Sequence, residues 1–174
     1  MKILEIPADY GFIGIVNCDT FNGMVDQNHD AEMMHKMFVE QINLHHLLLW
    51  STGATGSCKV KFTDQASDSE VFREFNGVIE ITNNKLYLIN YMELTMAATN
   101  EKFRLPSPWP YFQKLFIELE NGKYLVKIRQ MIDLQVLHPD PEHEEPFHFE
   151  IIPMKITRNP SLYKNKVDQI YLFK

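Results

Sequence analysis

The chain has 174 residues, 45% of them hydrophobic and 23% charged, with a formal net charge of −6. That size and composition fit one domain, residues 1–174, that folds without a disulfide or metal, and indicate neither a fibrous repeat nor a disordered tail. No run of about 18 apolar residues occurs, and Lys2 and Pro7 interrupt the start too early for a secretory signal, so a cytoplasmic protein without a membrane partner is expected.

Ile3 to Ile6 and Phe12 to Val16 read as short strands around a Pro7–Gly11 turn. From Asp30 the period changes: Met33, Met34, Met37, Phe38 and Ile42 recur at helical spacing, with Asn28 or Asp30 available as N-cap. Leu44 to Ser51 is short, apolar and followed by glycine, which predicts a buried strand carrying His45 and His46 on opposite faces. Gly53-Ala54-Thr55-Gly56 is expected to close a hairpin onto a strand that alternates Cys58, Val60 and Phe62 with Lys59 and Lys61.

Two more hairpins are predicted, one about Asn83-Asn84 and one about Asn121-Gly122, because both pairs tolerate the positive φ of a two-residue turn. Between them Met92 to Ala98 reads as a helical turn. Leu105 to Pro110 reads as a surface loop, since its three prolines forbid ladder bonds. Phe147, Phe149 and Ile151 alternate as a further strand that Pro153 ends or marks as an edge, and Ile170 to Phe173 offers a last one. Many short strands without a βαβ rhythm point to a mainly β fold: an antiparallel β-sandwich or open barrel with one α-helix near the N-terminus. Val78 to Tyr91 and Phe147 to Ile152 are plausible edges, so monomer and homodimer both stay open.

Catalytic signatures are missing: there is no G-x-S-x-G elbow and no H-E-x-x-H pair. Thr52 to Ser57 superficially resembles a phosphate loop, but a strand rather than a helix is expected after it. Cys18 and Cys58 lack C-x-x-C spacing and read as buried thiols. The densest histidine group, His138 to His148, is broken by prolines and fits no familiar metal spacing, so a solvated loop is favoured over a metal site. That loop is nevertheless charged. Leu134 to Glu150 holds five acids, among them Asp140, Glu142, Glu144 and Glu145, and no Lys or Arg, a patch suited to steering a basic partner. Trp109 and Tyr111, in the proline-rich loop, are the aromatic residues placed to act as interface anchors. Clustered Lys and Arg occur only in the C-terminal tail, which disfavours nucleic acid as a partner.

The order of elements, with Ile81-Thr82-Asn83-Asn84-Lys85-Leu86, Leu119-Glu120-Asn121-Gly122-Lys123-Tyr124-Leu125 and Pro146-Phe147-His148-Phe149-Glu150-Ile151-Ile152, resembles the competence protein J family of DNA-entry nuclease inhibitors. The resemblance spans roughly Asp30 to Pro153. It implies a small β-sandwich that binds and blocks a nuclease without a cofactor. The chain departs from that pattern by longer segments at Tyr91 to Gln113 and Asp133 to Glu145 and by its C-terminal extension, and no family binding residue is matched position by position.

The expectation is therefore a non-enzymatic protein-binding module, an inhibitor or immunity protein for a basic toxin or nuclease, with Asp140, Glu142, Glu144, Glu145, Trp109 and Tyr111 at the interface. A small-ligand-binding sandwich, which requires an apolar pocket between the sheets or at their rim, ranks second. A metal-dependent enzyme using His138 and His143 ranks third.

Overall fold

The computed structural model describes residues 1–25, 28–136, 147–157 and 165. Among these residues nine strands and two α-helices follow in the order β1 (Lys2–Ala8), β2 (Phe12–Val16), α1 (Ala31–Asn43), β3 (Leu47–Ser51), β4 (Gly56–Phe62), β5 (Arg73–Ile81), β6 (Lys85–Asn90), α2 (Tyr91–Thr99), β7 (Phe116–Glu118), β8 (Gly122–Gln130) and β9 (Phe149–Lys155). The strands form a five-stranded sheet, β1-β4-β9-β8-β5, and a four-stranded sheet, β3-β2-β6-β7. Among the described residues the fold is mainly β, with no closed barrel; α1 begins only after the first two strands, and α2 extends the helical turn expected at Met92 to Ala98 into a second helix.

All three expected hairpins are corrected by the pairing. The turn at 52–55 joins β3 of the small sheet to β4 of the large one. Asn83-Asn84 joins β5 of the large sheet to β6 of the small one, and Asn121-Gly122 crosses back, joining β7 of the small sheet to β8 of the large one. The turn chemistry is as read, with Asn84 at φ 52° and Gly122 at φ 145°. A tight turn reverses the chain without deciding whether the flanking strands share hydrogen bonds or face each other across a core. Here they face each other, and the ladders are long-range: β5 with β8 over nine residue pairs, and β1 with β4 over seven. Nor are the sheets wholly antiparallel, because β9 runs parallel to β4.

The core lies between the sheets. Trp50 of β3 meets Phe75 of β5 and Phe149 of β9 with ring centres 5.9 and 6.1 Å apart. The small sheet is covered on its other face as well, which is why every residue of β2 is buried and β3 reads as a continuous apolar run. The cover is α1, capped by the Asp30 carboxylate, which accepts from the Met33 amide at 2.8 Å, and packed through Met34, Met37, Phe38 and Ile42. The strand expected from Leu44 starts only at Leu47. His45, at φ 65°, and His46 occupy the turn that leaves α1, so the expected opposite-face placement on a strand does not arise.

Edges are also redistributed. Among the described strands β6 and β9 are interior, and β1, β5, β3 and β7 are outermost in their sheets. Of the two expected edges only β5 is one, and it is occupied. The Asn165 side chain accepts from the Val78 amide at 2.5 Å and donates to the Val78 carbonyl at 3.0 Å and the Ile42 carbonyl at 2.7 Å. Pro153 sits inside β9 beyond its three-residue ladder with β4, at a point where the missing N–H costs no bond on that side. The last strand expected at Ile170 to Phe173 lies outside the described residues.

Candidate functional site

Prolines 106, 108 and 110 keep the segment between α2 and β7 out of both sheets, and the segment folds back over the edge strand β1. Tyr111 makes the attachment: its hydroxyl donates to the backbone carbonyl of Glu5. Burial and the nearby Glu5 carboxylate both raise the Tyr111 pKa, which keeps the hydroxyl a donor. The rings are ordered around half-buried Phe112, which packs on the core. Tyr111 meets it edge-on at 5.2 Å and Trp109 is tilted at 6.1 Å. Fixed in this way, Trp109 remains 44% exposed and Tyr111 49%. The Glu5 side chain, also exposed, accepts from the Ser57 hydroxyl at 2.5 Å. Two held aromatic faces beside a carboxylate make a surface suited to anchoring another protein.

A polar web supports the neighbouring end of the fold. Asn90 caps α2, accepting from the Glu93 amide at 3.0 Å, while its side-chain amide donates to Asp9 at 2.5 Å and to the Pro7 carbonyl at 3.2 Å. These bonds tie α2 to the 3-10 turn at Asp9–Gly11, where Tyr10 stands at φ 55° and is the most exposed aromatic residue among the described residues, its ring tilted against that of Tyr91 with centres 5.6 Å apart. Sequence reasoning passed over Tyr10. Its only signal was a bulky residue between Asp9 and Gly11 in a turn.

Asp140, Glu142, Glu144 and Glu145, like His138 and His143, lie outside the described residues, so only Trp109 and Tyr111 of the expected interface are placed. Among the described residues no three His, Cys, Asp or Glu side chains are grouped to hold a metal ion. The described histidines have local partners. His148 accepts from the Lys59 amide at 3.3 Å, His46 pairs with Gln41 at 3.0 Å, and burial lowers the pKa of both His45 and His46. Both cysteines are free thiols. Burial pushes Cys58 up to about 12 and raises Cys18 as well, so neither is an activated nucleophile.

A second feature, which sequence reasoning foresaw only as a general requirement for ligand binding, lies where the ends of β1, β4 and β7 part. The sheets leave a cleft there of about 540 Å³. Its apolar lining comes from Met1, Phe62, Phe116, Ile117, Leu119 and Pro153, and its polar groups from Lys2, Thr63, Asp64 and Glu118. Lys2 pairs with Phe62 in the β1–β4 register and so occupies an inward position, continuing the alternation of Leu4, Ile6 and Ala8. It leaves the core by donating to the Phe116 carbonyl at 2.6 Å, a bridge from the edge of one sheet to the edge of the other.

No protein-family model and no curated protein sequence matches the chain. Two solved structures share its fold. ComJ from Bacillus subtilis, described as an inhibitor of the DNA degrading activity of NucA, aligns over 90% of this chain and 96% of its own with 12% identity and a TM-score of 0.50. A protein described as crocagin biosynthetic gene J aligns over 88% of this chain and 96% of its own, with 14% identity and a TM-score of 0.54. At such identities the likeness concerns the fold. The architecture that the turn spacing resembled is therefore met in three dimensions.

Proposed function

We propose that the chain is a single-domain, cytoplasmic β-sandwich that binds a protein partner and acts as an inhibitor, with a basic, DNA-degrading nuclease as the target class, and that it performs no catalysis itself. The observation that carries this reading is the clamped aromatic pair, Trp109 and Tyr111, displayed at the edge of β1 on a fold shared with a nuclease inhibitor. Large aromatic side chains whose rotamers are already fixed lose little entropy on binding, which is what interface anchors require. The acids Asp140, Glu142, Glu144 and Glu145 supply steering toward a basic surface in this reading.

The test is a DNA-degradation assay with a NucA-like nuclease titrated with the full chain at low and high salt. Stoichiometric inhibition that weakens with salt, and that falls by about tenfold or more in the Trp109→Ala, Tyr111→Ala double variant, is expected. Undiminished degradation at a large excess of the chain against a panel of such nucleases would remove the inhibitor reading. Full inhibition by the double variant would move the interface elsewhere.

A further inference from the structure

We propose that the rim cleft between β1, β4 and β7 is a binding site for a small amphipathic cation, a molecule with an apolar, ring-sized body and one positively charged nitrogen. This site is separate from the Trp109 and Tyr111 surface and does not depend on its role.

Three observations lead to the ligand class. The volume, about 540 Å³, falls within the range of sites that enclose small molecules. The cleft floor is the exposed end of the hydrophobic core: Phe62 and Ile117 are nearly buried members of it, and half-buried Leu119 packs against it. An apolar body placed there removes further carbon surface from water. The charges at the mouth then select the head group. Lys2 is already committed, through its bond to the Phe116 carbonyl and its position 5.0 Å from the centre of the Phe116 ring, and Lys85 lies 4.7 Å from the same ring. The carboxylates of Asp64 and Glu118 carry no ion pair among the described residues. A positively charged nitrogen at the mouth therefore meets two carboxylates with capacity to accept, whereas an anion meets them as repulsion and finds the Lys2 ammonium turned toward the Phe116 carbonyl and ring.

The geometry also explains why an inward position of β1 holds a lysine. An apolar residue at position 2 would extend the core and fill the gap, while the Lys2 stem swings out to Phe116, bridges the sheet edges and leaves the space beside Phe62 open.

The experiment uses the full chain and two probes with a common indole body, tryptamine as the cation and indole-3-acetate as the anion, followed by amide chemical shifts. Saturable shifts at Lys2, Phe62, Ile117 and Leu119 with tryptamine, and none with indole-3-acetate, are expected. Asp64→Asn with Glu118→Gln should weaken tryptamine by about tenfold without altering the spectrum elsewhere, because both side chains sit at the mouth rather than in the core. Leu119→Trp should abolish binding while the remaining amide pattern reports an intact fold. Shifts confined to other surfaces, equal binding of the two probes, or unchanged affinity in the double carboxylate variant would each overturn the proposal.

Discussion

The guanidinium of Arg129 donates to the carboxylate of Glu150 across the β8–β9 ladder, on the face of the large sheet turned away from the core. Lys61 of β4 reaches the same carboxylate from the other side at 2.9 Å, and the Ser67 amide and hydroxyl reach it at 3.1 and 3.2 Å. Arg129 in turn donates to the carbonyls of Ser67 at 2.9 Å and Ser69 at 3.0 Å. One fully buried carboxylate thus joins three strands and pulls the 63–72 loop down over the sheet as a lid that excludes water.

Removing that carboxylate leaves buried Arg129 with only the more distant Glu74 carboxylate, 3.6 Å away, and takes from half-buried Lys61 the carboxylate it pairs with. Glu150→Ala is expected to destabilise the protein by about 3–5 kcal/mol, the usual cost of breaking a buried pair from one side. Urea unfolding checks it. The pH dependence has a definite sign. Burial alone would raise the Glu150 pKa, but hydrogen bonds from Lys61, Ser67 and Arg129 outweigh it and hold the pKa below the ordinary glutamate value. The stabilisation is therefore present above the unfolded pKa and is lost as pH falls through the lower folded one. Glu150→Gln should flatten this acid limb of the stability curve.

Glu93 presents the opposite case. Its side chain is 0% exposed and neither carboxylate oxygen has a hydrogen-bond partner within normal distance. The sequence Asn90-x-x-Glu93 has capping-box spacing, yet only the Asn90 half of the reciprocal bond forms. Burial raises the Glu93 pKa, with the Ser107 hydroxyl opposing and Asp9 adding to the rise. The folded state then holds a proton that the unfolded state has released, so stability is full below the unfolded pKa and declines as pH rises through the folded one. Glu93→Gln is expected to be nearly neutral at pH 4 and to stabilise by on the order of 1 kcal/mol at pH 8. Thermal unfolding at the two pH values measures this; equal shifts at both would show that Glu93 ionises without penalty.

How much of this was legible beforehand depends on whether a feature is local. The faces of β8 could be read from Tyr124, Val126 and Ile128 alternating with Lys123, Leu125 and Lys127, because side-chain direction follows from a period of two. The cap of α1 and the turn at Asn121-Gly122 are equally local. Strand partners are not. The neighbours of β4 lie some fifty and ninety positions away, at Lys2–Ala8 and Phe149–Lys155, so the glycine turn before it invited the wrong pairing with β3. Trp109 and Tyr111 were legible as exposed because prolines bar their segment from a ladder. The cleft was not, since Lys2, Phe62, Ile117 and Pro153 meet only once four separate segments are assembled. Glu150 looked like one more acid of a solvated loop, and only its register opposite Lys61 and Arg129 makes it a buried tie.

The thiols offer a chemical check on the packing. Cys58 sits on β4 between the sheets and its pKa is pushed up to about 12 by burial, while Cys18 is raised by burial and by Asp19. At pH 8 both are held as the unreactive thiol rather than the thiolate. A disulfide-exchange reagent should therefore label neither at an appreciable rate in the native protein and both on unfolding in urea. Rapid native labelling of Cys58 would mean that the large sheet opens at the β1–β4 ladder.

Gly14 tests the close approach of β2 to β3. It pairs with Leu49, and a methyl group on its Cα would stand 2.5 Å from the Leu48 carbonyl oxygen and 3.3 Å from the Leu49 Cα. Both are backbone atoms, so no side chain can turn aside to make room, and the strands themselves must separate. The requirement concerns space, because Gly14 does not carry the positive φ found at Gly11, Gly53, Gly56 and Gly122. Moving β2 disturbs both of its ladders, to β3 and to β6, and the seat of α1 above them. Gly14→Ala is therefore expected to cost about 1–3 kcal/mol, as for other overpacked interiors, despite the gain in strand propensity. Denaturant unfolding measures the loss. A variant as stable as the parent would show that β2 and β3 can shift apart at little cost, and the continuous burial of both strands would then need another explanation.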